Sequence, residues 1–454
     1  MAEISDRRRA STYRSVLARP AFRVLFLTRT LAVTGDAVRA LALAVSVFAA
    51  TGSPLLSAVA YSITFVPQML GSSFLGTLAD RLRPRPLLAT LFAMDASAGL
   101  IIGLGHPPVA VSLVLVATVA LVTPLYQGAS SRLVADVLSG DDYVKGRALW
   151  CSAPLAAQLV GNALAGFSVA AFGAETTIVI SAAFHIASVL MIRLGLPDFP
   201  SAPAPGGALV PQRRLSMFAE SWRQNFQLLG TPSVRTLMLA KWIPPGLVTG
   251  AEALIVPYTA QNGYSASAAG VLLACLAVGM MVSNLLFGRV TDARLRDRLT
   301  LWLPLVAGLP LIALVFNLPV VITGAFLLLS GIGLAYDLGL ELRFVDSIPD
   351  GKRGLAFGLR STGLMTVQGI GPAVSGAVAL AVPVSAVIAL SGGVAAVLGV
   401  LLVGRALAVP LKQEPGPPAP TSCSGTGNGQ PATRAPIEMD DPSLIRTPRP
   451  METK

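Results

Sequence analysis

The sequence predicts an all-α polytopic membrane protein, with twelve transmembrane helices in two six-helix pseudo-repeats and both termini cytoplasmic. Three observations predict it. The chain is 53% hydrophobic and only 13% charged, whereas soluble domains carry about 25% charged residues. Lys and Arg are absent from six long stretches, and the second half of the chain echoes the first at a nearly constant offset. The net charge of +11 does not point to nucleic acid, because the basic residues form short clusters between apolar stretches rather than a face interleaved with aromatics.

In chain order, the first twenty residues ("MAEISDRRRASTYRSVLARP") are polar and basic. The apolar stretch that follows is too long for a signal-peptide core and lacks a small-residue cleavage pattern, so it reads as a retained first span. Lys and Arg are then missing from 40–80, 86–131, 148–192, 242–288, 299–342 and 361–404, stretches of 41 to 47 residues. Two helices of about 20 residues and a tight turn need that length, so each stretch is a helical hairpin or most of one. Turn signals fall near their middles: "TGSP" at 51–54, "GHPP" at 105–108, "FGAE" at 172–175, "QNGYS" at 261–265, "FNLP" at 316–319 and "AVPV" at 381–384. No turn carries Lys or Arg and every junction between hairpins does, which places the turns outside and both termini in the cytoplasm.

The expected organisation is a cytoplasmic segment (1–21), a six-helix bundle (22–196), a central cytoplasmic loop (197–234), a second six-helix bundle (235–407) and a disordered cytoplasmic tail (408–454). The central loop starts Pro/Gly/Ala-rich, and its "MFAESWRQNFQLL" suits an interfacial amphipathic helix. The tail is rich in Pro, Ser, Gly and Thr.

The repeat is legible in four places. "PAFRVLFLTR" from Pro20 matches "PSVRTLMLAK" from Pro232 at an offset of 212, pairing Arg29 with Lys241. "GTLAD" from Gly76 matches "GRVTD" from Gly288 at the same offset. "QLVGNALAG" from Gln158 matches "QGIGPAVSG" from Gln368 at 210, as Tyr126 matches Tyr336. Two six-span halves related as parallel repeats are a transporter architecture, with the site between the halves.

With that topology, "GTLADRLRPR" resembles the loop signature G-x-x-x-D-R-x-G-R-R of the major facilitator superfamily, through Gly76, Asp80, Arg81 and Arg85. Arg83 and Pro84 depart from it. The resemblance covers about residues 20–407 and implies the major facilitator fold, with this motif holding the cytoplasmic side shut between the halves. "PLYQGASSRLVADVLSGDDYVKGRALW" is similar to the branch of macrolide-efflux and enterobactin-exporter-like proteins. That likeness implies a plasma-membrane exporter of a small organic molecule working by alternating access as a proton antiporter. Two antiporter features are missing: span 4 has no intramembrane arginine, and the G-P-x-x-x-G element of span 5 reads "GNALAG". A sugar-porter-like importer or facilitator of a small polar metabolite is the alternative, with Gln68, Gln127, Gln158, Asn162 and Gln368 as its few polar candidates.

In the family, spans 1, 4, 7 and 10 line the central cavity. The substrate or coupling residues implied are Arg29, Asp36, Arg39, Tyr126, Gln127, Lys241, Glu252, Tyr336 and Asp337, with Glu341 nearby and Asp95 in span 3 behind the wall. Each is open to a second reading as a packing ion pair. Charges inside spans are tolerated only when they face a wet cavity or one another. Asp36 and Arg39, three apart, can touch; Arg29 and Lys241 have no carboxylate in direct reach on their own helices, which suits an anionic substrate unless Asp95 or Asp337 pairs with them. Offset 212 maps Ala40 onto Glu252, so Arg39 and Glu252 lie at similar depth and form a candidate outer gate. Two histidines, three cysteines and no CxxC or HExxH leave no metal, cofactor or catalytic constellation, so an enzyme is not expected, and a scaffold would have little reason to retain midplane charges. The partners expected are a small-molecule substrate, a proton and the bilayer, with the chain a monomer.

Overall fold

All six expected turns interrupt helices. The chain enters the left-handed region at Gly52, His106, Gly173, Gly263 and Asn317, five of those six sites, while Pro383 caps the helix after the sixth. The computed structural model describes residues 12–75, 82–200, 223–290, 292–349 and 352–410. All belong to one contact unit, Met1–Leu411; the second, Lys412–Lys454, lies outside them, and with it nearly all of the expected tail.

The described residues are helical throughout, with no strand among them. The first half comprises α1 (Tyr13–Ala18), α2 (Pro20–Thr51), α3 (Pro54–Ser62), α4 (Phe65–Leu75), α5 (Pro84–Gly105), α6 (Val109–Val137), α7 (Gly140–Phe172) and α8 (Ala174–Gly195). A connecting helix, α9 (223–230), carries the end of the expected amphipathic segment, whose earlier residues lie outside the described set. The second half comprises α10 (Pro232–Glu252), α11 (Ile255–Gln261), α12 (Ala266–Phe287), α13 (Ala293–Ile312), α14 (Val320–Gly333), α15 (Tyr336–Gly339), α16 (Glu341–Ser347), α17 (Arg353–Val378) and α18 (Val384–Leu407). Pro20, Pro54, Pro84 and Pro232 each open a helix, where a missing N–H costs nothing.

Ten described helical stretches are long and apolar enough to cross a membrane. The α10 and α17 segments, the seventh and eleventh of the expected twelve, are helical but fall outside that set. The reason lies in their composition: α10 carries Arg235, Lys241 and Glu252, and α17 beyond Arg360 is rich in Gly, Ser and Thr around Gln368 and Pro372.

The repeat extends to packing. In the first half Gly161 of α7 lies against Thr34 and Ala37 of α2, so that a Cβ there would come 2.7 Å from the Ala37 Cβ. In the second half Gly371 of α17 lies against Gly246 of α10, and 246 is 34 displaced by 212. The halves meet where α7 packs on α12 and α17 packs on α3. A Cβ on Gly166 would sit 2.6 Å from the Gly270 Cα, and one on Gly376 2.8 Å from the Leu55 Cα. Both crossings lie within about two helical turns of the hairpin turns, so the bundle is sealed at that end.

Candidate functional site

Three interrupted helices converge between the halves. The breaks fall at Ile63–Thr64 between α3 and α4, at Ala253–Leu254 between α10 and α11, and at Leu334–Ala335 between α14 and α15. Backbone released from a helix inside a membrane protein is tolerated where it lines a cavity or is buried in protein. Thr64, Glu252 and Leu334, at these breaks, all line one central cavity of about 420 Å³. That volume suits a small organic ligand. Asp36 and Asn162 come from the first half, and Lys241, Glu252, Asp337 and Arg360 from the second.

Two ionic clusters flank the cavity. In the first, Arg39 is buried and donates to Asp36 at 2.7 Å and to Asp95 at 2.6 Å. Asp36 thus turns one side to the cavity and the other to a guanidinium shared with Asp95. His185 of α8 brings Nε2 to 3.5 Å from the Asp36 Oδ1. In the second, Lys241 is 2% exposed and its Nζ donates to the Asp337 carboxylate and carbonyl, both at 2.8 Å, and to Glu341 at 3.0 Å. Arg360 closes that cluster onto Glu341 at 2.6 Å. Between them, the Tyr61 hydroxyl donates to Glu252 at 2.9 Å, a bond from α3 to the end of α10 that crosses between the halves.

The Major Facilitator Superfamily model matches residues 25–336 and again 248–438. The chain is a major facilitator superfamily protein. Solved structures agree on the fold. A POT family transporter in complex with a thioalcohol-conjugated peptide superposes with a TM-score of 0.66 at 12% identity, over 85% of this chain and 96% of that one. A bacterial homolog of the human lysosomal transporter Spinster, inward-facing and unoccupied, gives 0.63 at 15% identity over 88% and 96%. The nucleoside transporter NupG gives 0.66 at 14% identity over 86% and 99%. No curated protein matches the sequence.

In this major facilitator protein, four of the nine substrate or coupling residues singled out from sequence line the cavity: Asp36, Lys241, Glu252 and Asp337. Arg39 lies directly behind Asp36. Arg29, Tyr126, Gln127 and Tyr336 do not line it. The Arg29 guanidinium instead lies over the Trp150 ring, 4.4 Å from its centroid. Tyr126 packs on Phe92, and Tyr336 donates to the Ala240 carbonyl at 2.9 Å. Arg29 and Lys241 therefore do not form a free pair of cations at one mouth, because Lys241 is neutralised by Asp337 and Glu341. The Arg39–Glu252 gate is not formed either: two carboxylates of its own half hold Arg39, and Glu252 bonds Tyr61.

Gly76, Asp80 and Arg81 of the loop motif lie outside the described residues. Arg85 donates to the Arg193 carbonyl in the last turn of α8, a bond inside the first half rather than across to the second. In the echo, Asp292 caps α13 by accepting from the Arg294 and Leu295 amides at 2.7 and 3.2 Å. Sequence reasoning missed Tyr61, Arg360, Asn284 and His185 as residues of the site or its immediate surround. A tyrosine, a basic residue at a helix start and a lone histidine in a span carry no local signal of which cavity they meet.

Proposed function

We propose that this protein is a secondary active transporter that exports a small organic molecule, such as a drug or natural product, by alternating access coupled to the proton gradient. In this reading it is a twelve-span monomer of the plasma membrane with both termini cytoplasmic. The observation that carries it is Asp36: a protonatable carboxylate on the wall of a closed-ended central cavity, already tied to the Arg39–Asp95 pair. With the hairpin turns external, the sealed end is the outer one, and Arg360 lines the cavity from the other side. Family membership and fold support transport in general; Asp36 and its partners support the coupling.

The test is flux. Purified protein in liposomes should expel a fluorescent amphiphile against its gradient when a pH gradient is imposed, and Asp36→Asn should abolish that flux while the protein still inserts. Unchanged gradient-driven flux in the mutant overturns the assignment. One observation favours a second reading, a facilitator of a small polar metabolite: the amides of Gln158, Asn162, Asn284 and Gln368 all line the cavity. Equilibration of a sugar without dependence on pH would establish that alternative.

A further inference from the structure

His185 is 1% exposed, and neither of its ring nitrogens has a hydrogen-bond partner. A buried imidazole left unpaired is costly, and native structures rarely keep one without a use. Its surroundings are specific. Nε2 stands 3.5 Å from the Asp36 Oδ1, and the ring stacks on Phe92 with centroids 6.5 Å apart. Ligand atoms of His185, Asp36 and Asp95 all lie within 4.8 Å of one another. The three are not read as a metal centre, because the Arg39 guanidinium already occupies an oxygen of each carboxylate.

The elements packed on α8 are α2, α5 and α7. From α2 come Asp36 and Arg39, with Arg29 and Arg23 about 10 and 20 Å from Asp36 along the axis; from α5 comes Asp95. Arg85 of α5 is tied to the backbone of Arg193, eight residues along α8, about 12 Å away along its axis. The charged residues of α7 are Asp141, Asp142, Lys145 and Arg147, all in its first eight positions at the far end of the hairpin. On α8 itself, Glu175 and Arg193 are about 15 and 12 Å along the axis. With neutral imidazole the cluster therefore holds two carboxylates against one guanidinium, a net charge of −1. One added proton makes it neutral, which is the state a membrane interior favours.

We propose that His185 is the second proton site of the coupling centre, sharing one proton with Asp36. The proposal rests on the proton-coupled reading above and deepens it. Water in the cavity delivers a proton to the Asp36 carboxylate. The O–H bond then breaks as an N–H bond forms at His185 Nε2, leaving an imidazolium beside two carboxylates. Return follows the reverse path, and the net charge of the cluster alternates between −1 and 0. His185 touches neither cavity nor substrate; it stores the proton on the dry side of Asp36, and Arg39 keeps the two carboxylates apart.

The chain has only two histidines, so the idea can be read directly. In full-length protein carrying His106→Gln, labelled with ¹³C,¹⁵N-histidine and held in lipid nanodiscs, the ring signals belong to His185 alone. The ring should become protonated as the pH is lowered from 9 to 5. Asp36→Asn should lower the midpoint by about one pH unit or more, since it removes the nearest carboxylate, while Asp36→Glu should keep the titration. A ring that stays neutral over that whole range overturns the proposal, as does a midpoint unmoved by Asp36→Asn. The His106→Gln titration with Asp36 intact, and its retention in Asp36→Glu, decides the matter even where Asp36→Asn does not fold. The readout needs no flux, so the two failures are told apart: a ring that does not titrate overturns this proposal alone, whereas a missing pH-driven flux overturns the transport reading on which it rests.

Discussion

Lys241 is the most buried cation of the cavity wall, and three oxygens hold it. Replacing it by Met would leave Asp337 without its cation while Arg360 still holds Glu341, and because Asp337 faces the cavity the loss should fall below the about 3–5 kcal/mol of breaking a fully buried pair from one side. Thermal unfolding of Lys241→Met in detergent should show that loss. The Lys241→Met, Asp337→Asn double mutant should recover part of it, because the stranded charge is then removed. Residue-scale chemistry was legible in the sequence where partners are close along the chain. Asp36 and Arg39 are one helical turn apart and do touch, whereas Lys241 and Asp337, 96 residues apart, were only one of the pairings left open. It was not legible for pairs such as Arg39–Asp95 and Tyr61–Glu252, separated by 56 and 191 residues. Those contacts depend on how helices rotate against one another, and no local pattern encodes that rotation.

At the scale of the element, the hairpins were written in the gaps between basic residues, and five of the six turns in a residue that accepts an unusual backbone angle. The interruptions inside the spans were not. Asp337 and Glu341 look like neighbours on one continuous face, yet α15 and α16 divide at Leu340 and both carboxylates still reach Lys241. Apolar periodicity runs straight through such breaks. Small residues at the crossings give a sharper prediction. At Gly166 of α7 and Gly270 of α12 the two backbones are in contact. Gly166→Leu would push α7 away from α12 and loosen the sealed end without touching any charge. Spin labels placed in the turns at 172–175 and 261–265 should report longer distances in this mutant. A Gly161→Leu control, whose contact lies inside the first half against Thr34 and Ala37, should leave that separation unchanged or disturb folding instead.

For the molecule as a whole, the question is what holds the halves together at the sealed end. The sequence repeat suggested Arg39 and Glu252, at matching depth on corresponding helices. With the halves in contact there, that pair has every opportunity to form, and it does not: Arg39 belongs to Asp36 and Asp95, while Glu252 is held by Tyr61. A link between a hydroxyl and a carboxylate is weaker than a buried guanidinium pair, by roughly 1–2 kcal/mol on typical values, and so more easily exchanged during a transport cycle. Charge-swap mutants separate the two arrangements. Arg39→Glu should inactivate by placing three acidic side chains together, and Glu252→Arg should inactivate by putting an unpaired guanidinium on the cavity wall. The double mutant should do no better than the worse single, because the two side chains do not share a partner. Tyr61→Phe should instead leave the protein folded and shift the open-to-closed balance at this end by about tenfold, the equivalent of one hydrogen bond of about 1.4 kcal/mol. Cysteine accessibility at 52–53, measured with a membrane-impermeant reagent, would show that shift. Recovery of flux in the Arg39→Glu, Glu252→Arg double mutant would restore the arginine to the gate and remove Tyr61 from it.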